Sequence, residues 1–368
     1  DSMIAKLITT AQTREEEADL LSRILDLYYD RDDYDEALVI ARRLLALEFV
    51  DEATPQRPFT LKEKALYLLG DVLLRQGDGD GAMAAFGQLL DQYEGSLFEI
   101  PVRLNRATHL FATGNLDGAV VAFEDLRTRG LDKEQAFSVN FYLANARYSL
   151  RQFEEAHRLF DELLTSDPNA PERADLLFGL AESKYQLGDF EQASAHYRQI
   201  LAEFPNETSA DDSQYNLAWC LIELGREDEA MAEFGRILEN YPDSEFAAAA
   251  QFTFGDYAYN RQEYSEALNA YQKVQEAYPD APVAAQVPRL LDELKEALAY
   301  QEYEKGLELM DLADSGGGEA DYRRAIEVFT RVREAYPGTE SEIGAISNMG
   351  VCLESIGRWQ DAVDLYDE

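Results

Sequence analysis

The stretch Leu180-Ala181-Glu182-Ser183-Lys184-Tyr185-Gln186-Leu187-Gly188-Asp189-Phe190-Glu191-Gln192-Ala193, closed later by Pro205, decides the fold. From Leu180 to Leu187 apolar residues recur at helical spacing with no breaker, which predicts a helix. Gly188 supplies a left-handed stop. Phe190 to Ala193 begins a second helix, and Pro205 ends it because proline cannot continue a helix. A small residue in the first helix and an alanine in the second let the pair approach closely, with a large aromatic capping the contact. Replacing Ala193 by Leu is expected to overpack that crossing at about 1–3 kcal/mol.

The same arrangement recurs along the chain. Ala82, Ala119, Ala156, Ala193, Ala230 and Ala267 follow one another at intervals of 37 residues. Four residues after each stands Phe86, Phe123, Phe160, Tyr197, Phe234 or Tyr271. Twelve before each stands Gly70, Ala107, Ala144, Ala181, Ala218 or Gly255. Prolines recur at Pro168, Pro205, Pro242 and Pro279, and Gly77, Gly114, Gly225 and Gly357 repeat the stop of Gly188. The pattern resumes at Ala325, Phe329 and Pro337, then at Gly350, Ala362 and Tyr366. A degenerate early copy has Tyr34, Ala37 and Ala41, with alanine where an aromatic belongs. Fixed-period self-similarity of this kind marks a repeat architecture.

The small residue, the Ala-x-x-x-Phe element and the trailing proline resemble the tetratricopeptide repeat family over roughly residues 20–368. The resemblance implies an all-α, right-handed superhelical solenoid of about nine helical hairpins, the last truncated. The period is a few residues longer than the family's, and the extra length falls in the links. Links such as Tyr241-Pro242-Asp243-Ser244 and Tyr278-Pro279-Asp280 are similar to those of bacterial cell-envelope members. That likeness implies a periplasmic or outer-membrane-associated protein, with a cytoplasmic one as the alternative.

Two irregularities divide the chain. Residues 1–282 are expected to hold seven repeats, with a leading partial helix and an extended loop at 50–60 around Thr54-Pro55-Gln56-Arg57-Pro58. Residues 283–368 are expected to hold two more, with a lengthened segment Val283–Leu312 of one helix or two and a Gly-rich turn at 314–320. That turn, Ser315-Gly316-Gly317-Gly318, lacks a following Lys-Ser/Thr, so it is read as a helix connection and not a phosphate loop.

Charge excludes several functions. Thirty-three basic residues against 72 acidic ones leave −39. Such a chain repels nucleic-acid phosphate and anionic lipid. The acid excess is spread along it, with −14 on residues 1–184 and −25 on 185–368. Only eight of the basic residues are lysine. An evenly acidic, lysine-poor surface suggests adaptation to high salt, with a basic partner or ordinary drift in acidic helices as the alternatives. Asp1-Ser2-Met3-Ile4-Ala5-Lys6 does not read as a signal peptide, and no apolar run is long enough to insert into a membrane. The final pattern breaks off mid-helix, which reads as part of a longer protein. Cys220 and Cys352 occupy the same repeat position and are expected to be buried thiols.

Nothing in the pattern points to an enzyme, a cofactor or a metal. His109, His157 and His196 have no second His or Cys at metal-ligand spacing. Acidic pairs such as Asp32-Asp33 and Asp211-Asp212 fall near helix starts, where they favour the dipole. Binding to a protein or peptide is the remaining class. In the repeat family the first helices of successive hairpins line a concave groove. Positions four and seven apart share a helix face, which selects Tyr67/Asp71/Leu74, Leu104/Thr108/Phe111, Phe141/Asn145/Tyr148, Phe178/Glu182/Tyr185, Tyr215/Trp219/Ile222 and Phe252/Asp256/Tyr259.

The candidate site is therefore Tyr67, Asp71, Phe111, Phe141, Asn145, Tyr148, Phe178, Glu182, Tyr185, Tyr215, Trp219, Phe252, Asp256 and Tyr259. Its stripe is aromatic at the edges and polar or acidic between. The expected ligand is an extended or helical segment with apolar residues and a few Lys or Arg. Family members that clamp a C-terminal carboxylate place Lys and Asn in this groove; here Asn145 and Asn216 have suitable places, but Tyr and Phe fill the lysine positions. The same aromatics are suited to pack against the next repeat. Trp219 stands apart, because other repeats put small or polar residues there. End-to-end self-association through an uncapped last hairpin, or a role as the recognition part of a larger enzyme, are the alternative readings.

Overall fold

A computed structural model describes residues 9–367; the leading segment 1–8 lies outside the described residues. The described chain is all-α, with eighteen α-helices, two short helical turns and one isolated bridge between Thr54 and Arg57. By internal packing it forms two units, Asp1–His196 and Tyr197–Glu368.

The first unit holds α1 (Arg14–Asp30), α2 (Tyr34–Ala46), α3 (Leu61–Arg75), α4 (Gly79–Gln92), α5 (Glu99–Ala112), α6 (Leu116–Arg127), α7 (Lys133–Ser149), α8 (Phe153–Ser166) and α9 (Arg173–Gln186). Helix α10 (Phe190–Glu203) carries the division. The second unit holds α11 (Ala210–Glu223), α12 (Glu227–Asn240), α13 (Ala247–Asn260), α14 (Tyr264–Ala277), α15 (Val287–Leu312), α16 (Glu319–Ala335), α17 (Glu340–Ser355) and α18 (Trp359–Asp367). Apart from α10, each helix packs on a chain neighbour within its own unit, and first helices of adjacent hairpins also touch at α1–α3, α5–α7 and α15–α17. This is a stack of antiparallel hairpins.

The repeated residues build the crossings. Ala82, Ala119, Ala156, Ala193, Ala230, Ala267 and Ala325 are all fully buried, and so are the aromatics four residues after them in the chain. Burying each such ring contributes about 2–3 kcal/mol. The small first-helix residues are required by contact: a Cβ on Gly255 would strike the Tyr271 ring, and one on Gly70 would strike Phe86. Cys220 and Cys352 are buried thiols, and burial pushes the Cys352 thiol up to about 11.

Hairpin turns close by one hydrogen-bond pattern. At the end of α9, the Gly188 N–H donates to the Tyr185 carbonyl and the Asp189 N–H to that of Lys184. Gly188 has φ +76°, a conformation that glycine adopts without steric cost. The same turns occur at Arg151 (φ 61°) and Gln262 (φ 62°), where the repeat has no glycine and the side chain bears the strain. In the links a serine ties hairpins together. The Ser244 hydroxyl donates to Asp211 at the start of α11 (2.7 Å), and Ser96 donates to Glu63 in the equivalent place.

The lengthened segment is one helix, the 26-residue α15, entered through a 3₁₀ turn at Pro282–Gln286. Its small contact residue is Gly306, against the Phe329 ring. Gly306 stands nineteen residues before Ala325 where other repeats have twelve. One more residue at the end of α15, a connection at 313–318 that is three residues longer, and three more residues at the start of α16 absorb that difference. In the 50–60 loop, the Asp51 carboxylate accepts the Leu61 and Lys62 N–H groups at the start of α3, both at 2.9 Å.

Candidate peptide-binding groove

The selected first-helix residues are half-buried, except Asp256 and Tyr259, which are exposed. They do not form one uniform stripe. On α3, Tyr67 stacks on Phe98 at 4.9 Å. Asp71 accepts from the Tyr29 hydroxyl and from Arg75 Nε, both at 2.7 Å. The Arg75 guanidinium also lies over the Tyr29 and Tyr34 rings. Asp71 is thus a paired carboxylate inside a tyrosine–arginine network.

Phe111, Phe141 and Phe123 meet around Tyr142, with ring centres about 6 Å apart, 6.0, 5.9 and 5.9 Å. Tyr142 was not among the sequence candidates. It lies one residue past Phe141, on a part of α7 that the four-and-seven spacing does not select.

Between α7 and α9 the site opens into a cavity of about 230 Å³. Phe141, Asn145 and Tyr148 line it from α7, and Phe178 and Glu182 from α9. Five sequence candidates are therefore brought together. Phe160 forms its floor beside Gly179, where a Cβ would lie 2.6 Å from the ring. The Tyr148 hydroxyl donates to Glu182 Oε2 (2.8 Å). Burial, and then the Glu182 charge, push the Tyr148 phenol well above its usual range, so the hydroxyl keeps its proton. Asn145 Nδ2 donates to the Phe141 carbonyl (2.8 Å). Asp175 completes the lining. Asp175 is not among the sequence candidates, although the spacing Asp175/Phe178/Glu182 extends the same helix face by one turn. Tyr185, farther along α9, packs edge-on against Phe190 at 5.3 Å.

In the second unit the equivalent residues fill their own space. Trp219 packs edge-on against Phe234 (5.7 Å) and Tyr215 (6.1 Å), and Tyr215 stacks on Phe246 (4.7 Å). Phe252 lies against Tyr271 (5.1 Å), whose hydroxyl donates to Asp256 (2.5 Å). Tyr259 packs on Tyr264 and is 37% exposed. A second hollow, about 470 Å³, lies among α12, α13 and α14, with Phe254, Tyr257 and Asn269 on its walls. No sequence candidate lines it.

The histidines have packing surroundings. A Cβ on Gly79 would strike the His109 ring. His157 and His196 are half-buried, and burial, followed by nearby positive charge, lowers both. Among the described residues no three His, Cys, Asp or Glu side chains are grouped to hold a metal ion. No helix among them is long and apolar enough to cross a membrane.

Family models described as tetratricopeptide repeat match residues 64–96, 104–171, 141–208, 184–252, 249–281 and 345–368, together more than half of the chain. The chain belongs to the tetratricopeptide repeat family. Repeats of this family are generally non-catalytic and bind proteins or peptides. Among solved structures, the tetratricopeptide repeat chain is similar to the C-terminal part of a repeat-containing protein from Cytophaga hutchinsonii. The identity is 12%, over 72% of this chain and 98% of that one, with a TM-score of 0.59. A repeat protein from Parabacteroides merdae is 18% identical over 75% of this chain and 98% of its own, at a TM-score of 0.47. PilW, a type IV pilus biogenesis factor, is 16% identical over 62% of this chain and 94% of its own, at 0.46. At these identities the likeness concerns the fold. No curated protein matches the sequence.

Proposed function

We propose that this repeat protein is a non-catalytic scaffold that binds an extended or helical, apolar and basic segment of a partner along its first helices. The observation that carries the reading is the cavity between α7 and α9, where Phe141, Asn145, Tyr148, Phe178 and Glu182 converge. Half-buried aromatics held by neighbouring rings are rigid anchors that lose little entropy on binding. The net charge of −39 favours a basic partner and speeds its encounter. The test is selection of peptides from a random display library, followed by titration against Phe141→Ala and Phe178→Ala, two residues that line the cavity. Unchanged affinity in both variants would move the site away from the α7–α9 cavity.

The Tyr-Pro-Asp links support a place in a bacterial envelope complex; fractionation of the native cells, with the protein found in the soluble cytoplasm, would sink that placement. The acid excess fits a saline medium, and thermal melts that gain nothing from molar KCl would contradict it.

A second reading, self-association, is favoured by the apolar surface of α17 and α18. Ile343, Trp359, Val363 and Tyr366 are each at least half exposed. Light scattering that gives a monomer for the parent chain, unchanged by Trp359→Glu, would exclude it.

A further inference from the structure

We infer that the hollow among α12, α13 and α14 is a second docking pocket, for a partner segment that carries a large aromatic side chain next to a basic residue. None of its walls belongs to the stripe of the first-helix groove, so it goes beyond the reading above and does not depend on it.

The hollow comes from two departures from the repeat. In the first unit, Arg147 on α7 pairs with Glu124 on α6, and Arg147 Nη1 donates to Gln152 (2.5 Å). One period along, Lys184 and Asp161 hold the same two positions, and Lys184 Nζ donates to Asp189, the counterpart of Gln152 (3.4 Å). Three periods after Arg147 and Glu124, the residues are Ala258 and Gly235. Both long side chains are gone, and a space of about 470 Å³ stands in their place. A Cβ on Gly235 would lie 3.7 Å from the Phe254 ring, so a longer side chain there would cover that ring. Here it is left uncovered.

The walls suit an aromatic side chain. Phe254 and Tyr257 offer rings for edge or stacked contact, and Leu238, Ala258 and Ala270 offer apolar surface to bury. Tyr257 is fixed in advance. Its hydroxyl donates to Asp228 (2.7 Å), and the Arg261 guanidinium lies over its ring at 5.3 Å. A wall held in this way loses little freedom when a ligand arrives.

Charge selects the neighbour of that aromatic. Glu239 on α12 and Glu266 on α14 stand on opposite walls, with Lys273 as the single basic residue of the lining. Glu263 bonds to Arg261 (3.0 Å). Acid therefore exceeds base around the opening, in a chain of net charge −39. A basic residue beside the aromatic is attracted there, and an acidic one is repelled.

The probes are three N-acetylated, C-amidated dipeptides, Trp-Arg, Trp-Glu and Ala-Arg, titrated into the full chain. Binding is read by NMR at the Gln251 and Asn269 side-chain amides and the Phe254 ring. Trp-Arg is expected to shift these signals saturably, with Trp-Glu and Ala-Arg each about tenfold weaker or worse. A Gly235→Glu/Ala258→Arg variant restores the pair found at Glu124 and Arg147. It is expected to abolish the shifts while circular dichroism shows unchanged helicity and melting. A Glu239→Lys/Glu266→Lys variant is expected to reverse the order of Trp-Arg and Trp-Glu. No shift with any probe, equal shifts with all three, or shifts that survive the refilled variant overturn the pocket. Light scattering that shows a dimer of the parent chain and a monomer of the refilled variant would make the occupant a second copy, and would overturn the partner segment.

Discussion

Two places in the molecule occupy the same repeat positions and differ in one decisive side chain. At α7, Phe141, Asn145 and Tyr148 stand over Phe160, and the space above that ring is open. Two periods along, Tyr215, Trp219 and Ile222 stand in the matching positions of α11, and the Trp219 indole lies 5.7 Å from Phe234, the counterpart of Phe160. The residue after Phe178 is Gly179, while its counterpart is Thr253, whose hydroxyl donates to the Ala249 carbonyl (2.9 Å). One scaffold thus makes a pocket where the middle residue is small and a filled aromatic cluster where it is tryptophan. The contrast sets an open cavity against a filled cluster at a single repeat position.

The largest effect expected is on stability at the filled site. Trp219→Ala removes an indole from contact with two rings and is expected to cost about 3 kcal/mol, read from urea unfolding. A loss under about 1 kcal/mol would mean that the cluster is loose and the comparison is void. Next, Asn145→Trp is expected to fill the α7–α9 cavity, lowering the affinity of a selected peptide about tenfold or more with little change in melting temperature. Retained affinity would place the ligand elsewhere.

A smaller effect concerns the turns that end the same two helices. The α7 turn carries Arg151 at φ 61° and the α11 turn carries Gly225 at φ 70°. Arg151→Gly is expected to stabilise by about 1 kcal/mol and Gly225→Ala to destabilise by a similar amount, measured by urea unfolding. The smallest effect is on pH. All three histidines fall in the first unit, and His157 and His196 are lowered by burial. Their neutral forms are favoured in the folded state. They therefore contribute stability above the ordinary imidazole range, and it is lost as pH falls through their folded values. A His157→Gln/His196→Gln double variant is expected to flatten the loss of stability between neutral and mildly acid pH. An unaltered slope would assign it to other groups.

The hairpins were legible because their period repeats a physical requirement: a small residue beside an aromatic, then a stop. Gly70 with Phe86 and Gly255 with Tyr271 meet that requirement by contact. Gly306 with Phe329 was not legible, since seven added residues between them break the usual spacing. Helical spacing put Phe141, Asn145 and Tyr148 on one face of α7 and Phe178 and Glu182 on one face of α9, and these faces line the same cavity. It could not tell which faces stay open. Asp71 looked like an open acid until Tyr29, distant in the chain, arrived beside Arg75. Trp219 looked like an exposed anchor, yet Phe234 and Tyr215 take up two of its contacts. Spacing within one helix reports direction, while filling depends on residues a period or more away.

The most direct measurement is a crystal structure of the chain with a peptide taken from the display selection. The account predicts a peptide lying along the first helices, with one side chain over Phe160 between Phe141 and Phe178. A peptide seated outside the α7–α9 cavity would contradict it.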